Sequence, residues 1–314
     1  MKNGLVFLCA MVFFAGCTTC LTRTSKGDTR AKETVKGEQP SLLPAGRDFK
    51  LVWNDEFNGT RLDDAKWSYR TNFWGQRAHW FAAPEDNAVE VKNGLLHLKL
   101  IEKEGQYKSP QLQTGELVWD MPVDPNRKGF WPFPKRAKPK FMHRYGYYEC
   151  RCKLQQKAGW WSAFWMQTPS QGASLDPKQV GIEHDIMESF EPGVVIPHCF
   201  HYNGYGADYK GFKTPRVKKN EEACVSLDKT EFHVFGMLWE EDGYTLFIDG
   251  KQNGQKVGDQ GDEAVSAAEE FILLTTEAKW YRNNKMTGKP VAELKDALGD
   301  AFVVDYVRVY DEVK

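Results

Sequence analysis

From Asp48 onward, apolar and polar residues alternate in short runs broken by turn residues, the pattern of strands half buried against a core. Phe49–Trp53 is followed by a turn at Asp55-Glu56-Phe57-Asn58-Gly59. Ala88–Lys92 and Leu95–Ile101 flank Asn93-Gly94, a pair that favours a primed two-residue turn, so a hairpin is expected there. Tyr145–Leu154, Trp160–Gln167, Ile182–Glu188, Val194–Tyr202, Phe232–Trp239, Tyr244–Ile248, Phe271–Thr276 and Phe302–Tyr310 read as further strands, and Asp249-Gly250 closes another turn. Only Asp262–Glu270 and Val291–Leu298 read as helices, both short. Many strands and few helices over residues 48–314 predict a single all-β domain built as a sandwich.

One strand carries an unusual load. Residues 181–190 read Gly-Ile-Glu-His-Asp-Ile-Met-Glu-Ser-Phe, placing Glu183, Asp185 and Glu188 in an apolar, β-favouring stretch where unpaired charge is costly to bury. Alternation puts Glu183 and Asp185 on one face and Glu188 on the other. A β-bulge at Ile186–Met187 absorbs one residue and brings all three acids to the same face, a device common beside active sites. Glu183 and Glu188 are then ~13 Å apart at Cα, at ~3.3 Å per strand residue. Side chains leaning together from that separation bring their carboxyls to ~5 Å, the spacing at which one acid attacks a sugar and the other donates a proton. Asp185 between them can hydrogen-bond Glu183 and bias which acid holds a shared proton. The competing reading is an acidic edge strand whose charges face water.

The chain has 314 residues and a formal net charge of −1, so no global field favours nucleic acid or an anionic membrane. Aromatic residues make up 13%, including 11 Trp, and flat rings suit the C–H faces of sugars as well as a sandwich core. Lys2 precedes an apolar run from Leu5 to Phe14 that is too short to span a bilayer, followed by Ala15-Gly16-Cys17. This is the form of a secretory signal over residues 1–16. It resembles a bacterial lipoprotein signal with Cys17 as the acylated N-terminus, Phe14 standing where that pattern has Leu; plain secretion is the alternative. Residues 17–47 are rich in Thr, Lys, Gly and Glu and read as a flexible tether. Beyond the signal and Cys17, the cysteines Cys20, Cys150, Cys152, Cys199 and Cys224 remain; with no Cys-x-x-Cys pair among these five, no zinc site and no particular disulfide is expected. Residues 121–143 hold Pro122, Pro125, Pro132, Pro134 and Pro139 with Lys135, Arg136, Lys138 and Lys140, read either as a solvated insertion or as a cleft-side loop touching an anionic sugar.

Six blocks in order then resemble glycoside hydrolase family 16, the β-jelly-roll endo-glycanases that include laminarinases, lichenases, agarases and carrageenases. They are Leu51–Phe57, Asn93–Leu98, Tyr145–Leu154, Gly159–Met166 (where Ser162 replaces a usual proline), Phe232–Ile248 closing at Asp249-Gly250, and Val304–Tyr310. With the acid motif they span about residues 50–311. The resemblance implies a concanavalin-like jelly-roll sandwich with a concave substrate cleft over residues 48–314. It makes Glu183 the nucleophile, Glu188 the acid/base and Asp185 the supporting acid of a retaining mechanism. His184 stands where the family has an aliphatic residue and is read as a core histidine. His201, with His198 as its rival, matches the family's histidine near the acid/base.

The resemblance also implies sugar-stacking roles for Trp161 and Trp165 if their face is the cleft, with Trp160 at the surface otherwise. Trp280, Trp74 and Trp80 are further stacking candidates. No cofactor is required, and a structural Ca2+ would be held at Glu56, Gly94 and Asp305. The six-residue Glu-x-Asp-x-x-Glu form belongs with the laminarinase, agarase and carrageenase branches. A β-1,3-containing glucan is therefore the first substrate expected, and a β-galactan (agar, porphyran, carrageenan or β-1,3-galactan) the alternative. A non-catalytic carbohydrate-binding jelly roll and a transglycosylase are the other readings. The expected partner is a polysaccharide and the expected state a monomer, lipid-anchored to the bacterial cell envelope.

Overall fold

The computed structural model describes residues 28–71, 81–115, 117–118, 135–136, 138–213, 224–258, 261, 264–278 and 293–314. The expected signal, Cys17, Trp74, Trp80 and Trp280 lie outside them, as does most of the proline-rich loop. No helix among the described residues is long and apolar enough to cross a membrane.

Two large sheets face each other, as the alternation demands. One runs in the order Lys251–Gln252, Gly243–Ile248, His233–Glu240, Gly146–Lys153, Ala301–Val313, Leu95–Lys99 and Val89–Lys92, with Asp48–Asp55 also paired to Ala301–Val313. The other runs Lys210–Lys213, Val194–Tyr202, Glu183–Glu191, Trp160–Gln167, Phe271–Ala278, Gln106–Gln113 and Ser68–Tyr69. Neighbours are antiparallel except for the short strand Phe81–Ala82, which runs parallel to Gln106–Gln113. The core lies between the sheets and takes alternate residues from each: Tyr148, Cys150 and Cys152 from one, Phe164 and Met166 from the other. Phe164 and Met166 each contribute about 1.5–3 kcal/mol by being fully withdrawn from water. This is the all-β jelly roll the sequence implied.

The tight turns form where they were expected. Asn93 and Gly94 have φ of 54° and 72°, and Lys92 pairs directly with Leu95, so the loop is a two-residue turn with both residues left-handed. Asp249 and Gly250 repeat the arrangement at φ of 48° and 74° between Ile248 and Lys251.

The tether drawn over 17–47 is, over its described part, a β-hairpin of Thr29–Lys32 and Ser41–Pro44. It lies on the outer face of the first sheet, where Leu43 packs with Phe49, Tyr147 and Tyr310. The backbone N–H of Leu42 donates to the Glu149 carboxylate at 2.6 Å, and the Tyr147 hydroxyl donates to the Leu42 carbonyl at 2.8 Å. Burial pushes the Glu149 carboxyl up to about 7. The helix expected over Asp262–Glu270 is absent from its described residues. Their backbone is held by tertiary partners instead: Ser266 N donates to the Tyr244 hydroxyl and Trp239 Nε1 to the Ser266 carbonyl. Among the described residues of the second expected helix, Glu293–Asp296 is helical and residues 297–298 are not, and its neighbourhood places Leu294 and Ala297 on Trp160.

Candidate active site

The acid strand, Glu183–Glu191, sits inside the second sheet between the tryptophan strand Trp160–Gln167 and the histidine strand Val194–Tyr202. Gln167 faces Glu183 and Trp165 faces Asp185, but Phe164 then faces Met187 and Ala163 faces Glu188. Ile186 is the extra residue. Ile186 and Met187 both enter the inter-sheet core, which returns Glu188 to the face that carries Glu183 and Asp185. On the other side the pairing keeps step, Asp185 opposite Cys199 and Met187 opposite Pro197, while His198 adopts a φ of 61°. The bulge therefore lies where the spacing of the acids places it.

The three acids differ in environment. Glu183 is 9% exposed and Asp185 5%, whereas Glu188 is half-buried. Glu183 accepts a hydrogen bond from Gln167 Nε2 at 2.9 Å on one oxygen and from the Tyr205 hydroxyl on the other. Burial raises its carboxyl to about 7, and the negative charge of Asp185 adds to the rise; His201, Tyr205 and Arg70 oppose it. Asp185 pairs with His201 Nε2 at 3.0 Å, and His201 Nδ1 lies 2.5 Å from the Tyr209 hydroxyl. Burial works against charge on His201, but the hydrogen bond and charge of Asp185 prevail and push the imidazole up to about 11. At neutral pH His201 is an imidazolium, donating to both partners.

Several contributors left little local trace in the sequence. The Arg70 guanidinium is buried 4.9 Å over the Trp165 ring and donates to Gln167 Oε1 at 3.2 Å, so Arg70, Gln167 and Glu183 form a relay. Burial lowers the Arg70 guanidinium to about 9 against the pull of Glu183, Glu277 and Tyr205. Tyr205 and Tyr209, stacked at 5.4 Å, fold back from the end of the histidine strand onto Glu183 and His201. Cys199 stands between Asp185 and Glu188, its thiol donating to Glu188, and burial holds it far above its usual range. The four-residue spacing of the tyrosines just after His201 was the one readable signal.

Trp161, Ala163 and Trp165 share the face of the acids, but Trp161 is 3% exposed and Trp165 7%. Trp161 packs on Phe190 at 5.2 Å, and Trp165 Nε1 donates to Thr275 Oγ1 at 2.8 Å, so these rings form a floor and not open platforms. Trp160 is fully buried, against the alternative that put it at the surface. His184 is a core histidine, its Nδ1 2.6 Å from Glu270 and its ring edge-on to Tyr244 at 4.5 Å. His198 is fully buried as well. The expected calcium donors do not fit a cation. Both Glu56 oxygens are taken by Arg308, at 2.9 and 2.7 Å, and Asp305 is paired with Arg151. Arginine already supplies the positive charge that Ca2+ would bring.

The profile of the GH16 domain of β-porphyranases A–D matches residues 51–312. The chain is 27% identical over 296 residues to glucan endo-1,3-β-glucosidase A1 of Niallia circulans, covering 86% of this chain and 39% of that protein. It is 25% identical over 288 residues to a keratan-sulfate endo-1,4-β-galactosidase of Sphingobacterium multivorum, covering 90% and 60%. With β-porphyranase C of Zobellia galactanivorans it shares 28% over 272 residues, covering 72% and 71%. It spans only 39%, 60% and 63% of the first three curated relatives it matches. Among solved structures, the laminarinase of Rhodothermus marinus superimposes with a TM-score of 0.61 at 22% identity, covering 86% of this chain and all of that one, a likeness of fold.

Proposed function

The chain belongs to glycoside hydrolase family 16, and from that membership we propose that it is a retaining endo-β-glycanase. The bulge at Ile186, which turns Glu183 and Glu188 onto one face, is the observation that supports this reading most. Glu183, oriented by Gln167 and Tyr205, attacks the anomeric carbon and forms a glycosyl-enzyme. Glu188, half-buried and so open to the leaving group, protonates the departing oxygen and later takes a proton from water. Asp185 is held by the His201 imidazolium, which limits how far its charge destabilises the Glu183 carboxylate.

Attack requires Glu183 ionised. Because burial and Asp185 raise it to about 7, kcat/KM is expected to climb as pH rises through about 7. Asp185→Asn removes the second cause of the rise, so the same limb moves to lower pH in that variant. A wild-type limb near the ordinary value of 4.5 would remove the buried-nucleophile account.

We place a β-galactan of the agar or porphyran type ahead of the β-1,3-glucan that the sequence favoured, because the matching profile is that of β-porphyranases. The glucan reading stays second, supported by the similarity to the Niallia circulans enzyme. Anchoring to the cell envelope through Cys17 is part of the proposal on sequence grounds alone. The test is incubation with porphyran, agarose, carrageenan, laminarin, mixed-linkage glucan and a β-1,3-galactan, followed by product sizing. Short oligosaccharides from porphyran or agarose are expected. Products from laminarin alone would reverse the substrate order, and folded protein yielding none from any polymer would favour a binding module.

A further inference from the structure

We propose that Asp185, Cys199 and His201 form a binding site for a soft divalent transition metal such as Zn2+. The metal binding stands apart from the hydrolase reading; only its consequence, inhibition of hydrolysis, rests on it. Among the described residues, these three are the one cluster of potential metal ligands, with one donor atom from each within 4.8 Å of the others. No zinc site was expected from the spacing of the cysteines, since the Cys-x-His pair of one strand is completed by a carboxylate across the sheet.

The backbone sets the arrangement. Cys199 lies directly opposite Asp185, and His201, two residues further along, is on the same face. Tetrahedral zinc with bonds of ~2.0–2.3 Å places its ligands ~3.3–3.8 Å apart, so a contraction of about 1 Å closes the site. A thiol, an imidazole and a carboxylate are a donor set for a soft or borderline ion, whereas Ca2+ and Mg2+ ask for oxygen alone. Glu188, which accepts the thiol's hydrogen bond, stands beside the site as a fourth donor. The support behind the histidine is already in place: Nδ1 lies 2.5 Å from the Tyr209 hydroxyl, which fixes the ring and directs Nε2 at Asp185. The His201 side chain is 22% exposed and offers the approach from solvent.

Coordination forms metal–sulfur, metal–nitrogen and metal–oxygen bonds. It releases to solvent the protons carried by the thiol and the imidazolium. The carboxylates of Asp185 and Glu188 on either side of the thiol favour a dication. A metal so placed engages Asp185 and sits against Glu188, which removes two of the three acids from the proposed chemistry.

Titration of the metal-free chain with CoCl2 tests the site without reference to activity. One equivalent is expected to give a thiolate-to-cobalt charge-transfer band that ZnCl2 abolishes. Cys199→Ser is expected to lose the band and weaken Zn2+ binding by roughly 10–100-fold or more, the cost of losing even a supporting partner. If that variant does not fold, His201→Gln serves, with the same weakening expected. Absence of the band in the wild type, or equal Zn2+ affinity in the folded variants, would overturn the site. A band in a chain that degrades no polysaccharide would sink the hydrolase reading and leave the metal site standing. An active chain without the band would do the reverse. Where the chain is active, Zn2+ and not Mg2+ is expected to suppress turnover at least ~10-fold, reversed by EDTA; activity unaffected by saturating Zn2+ would overturn the inhibition.

Discussion

Glu183→Gln is expected to lower the hydrolytic rate by roughly 10⁴–10⁶-fold, the scale on which removal of a covalent nucleophile acts. The amide keeps the size of the carboxyl and can still face Gln167 and Tyr205, so the fold is expected to survive and the loss to be chemical. The smaller Glu183→Gly leaves space at the same spot, and azide supplied there is expected to restore turnover and yield a glycosyl azide of opposite anomeric configuration. Glu188→Ala, given azide and an activated aryl glycoside whose leaving group needs no protonation, should instead give the retained azide, because there the nucleophile survives and azide replaces the water that the missing base would activate. A loss below tenfold in Glu183→Gln would take the nucleophile's role away from this residue.

The second large effect is on stability. Arg308 is fully buried at the outer face of the first sheet, its guanidinium clamping both oxygens of Glu56 and lying 3.7 Å from the Tyr306 ring centroid. Its Nη1 also donates to the Gln39 carbonyl and to Ser41 Oγ, tying down the N-terminal hairpin. Arg308→Met leaves Glu56 buried without its counter-charge and is expected to cost about 3–5 kcal/mol in denaturant unfolding. The double change Glu56→Leu with Arg308→Met removes both charges and is expected to recover part of that loss. A double variant as unstable as the single one would show that the packing of the arginine stem matters more than the pairing.

What could be read in advance, and what could not, divides by the range of the interactions. The turns at Asn93-Gly94 and Asp249-Gly250 were legible because two adjacent residues with positive φ are a local demand that few residue pairs meet. The bulge was legible because three acids at that spacing make chemical sense together only if one residue is skipped. The hairpin at 29–44 was not, because its anchors are polar and distant: Glu149, Tyr147, Tyr310 and Arg308 hold a segment whose composition suggests a solvated tether. Asp262–Glu270 was misread as helical for a related reason. Tyr244 and Trp239 claim its backbone, while Glu270 turns its carboxylate to His184 and to the Ile182 N–H. Arg70 reaches Glu183 through Gln167, a partner 97 residues away, and no window along the chain displays that. Matching positions along the chain do not display the arginines that pair with the Glu56 and Asp305 carboxylates of the expected calcium set.

The proposed chemistry needs two carboxylates aimed from one face at a single acetal carbon, close enough for double displacement. Proton NMR of the first minutes of hydrolysis follows the anomeric signal of the new reducing end. The β-anomer is expected to appear first and the α-anomer only later, by mutarotation. An α-anomer formed first would mean direct attack by water, with Glu183 and Glu188 too far apart to act as proposed here.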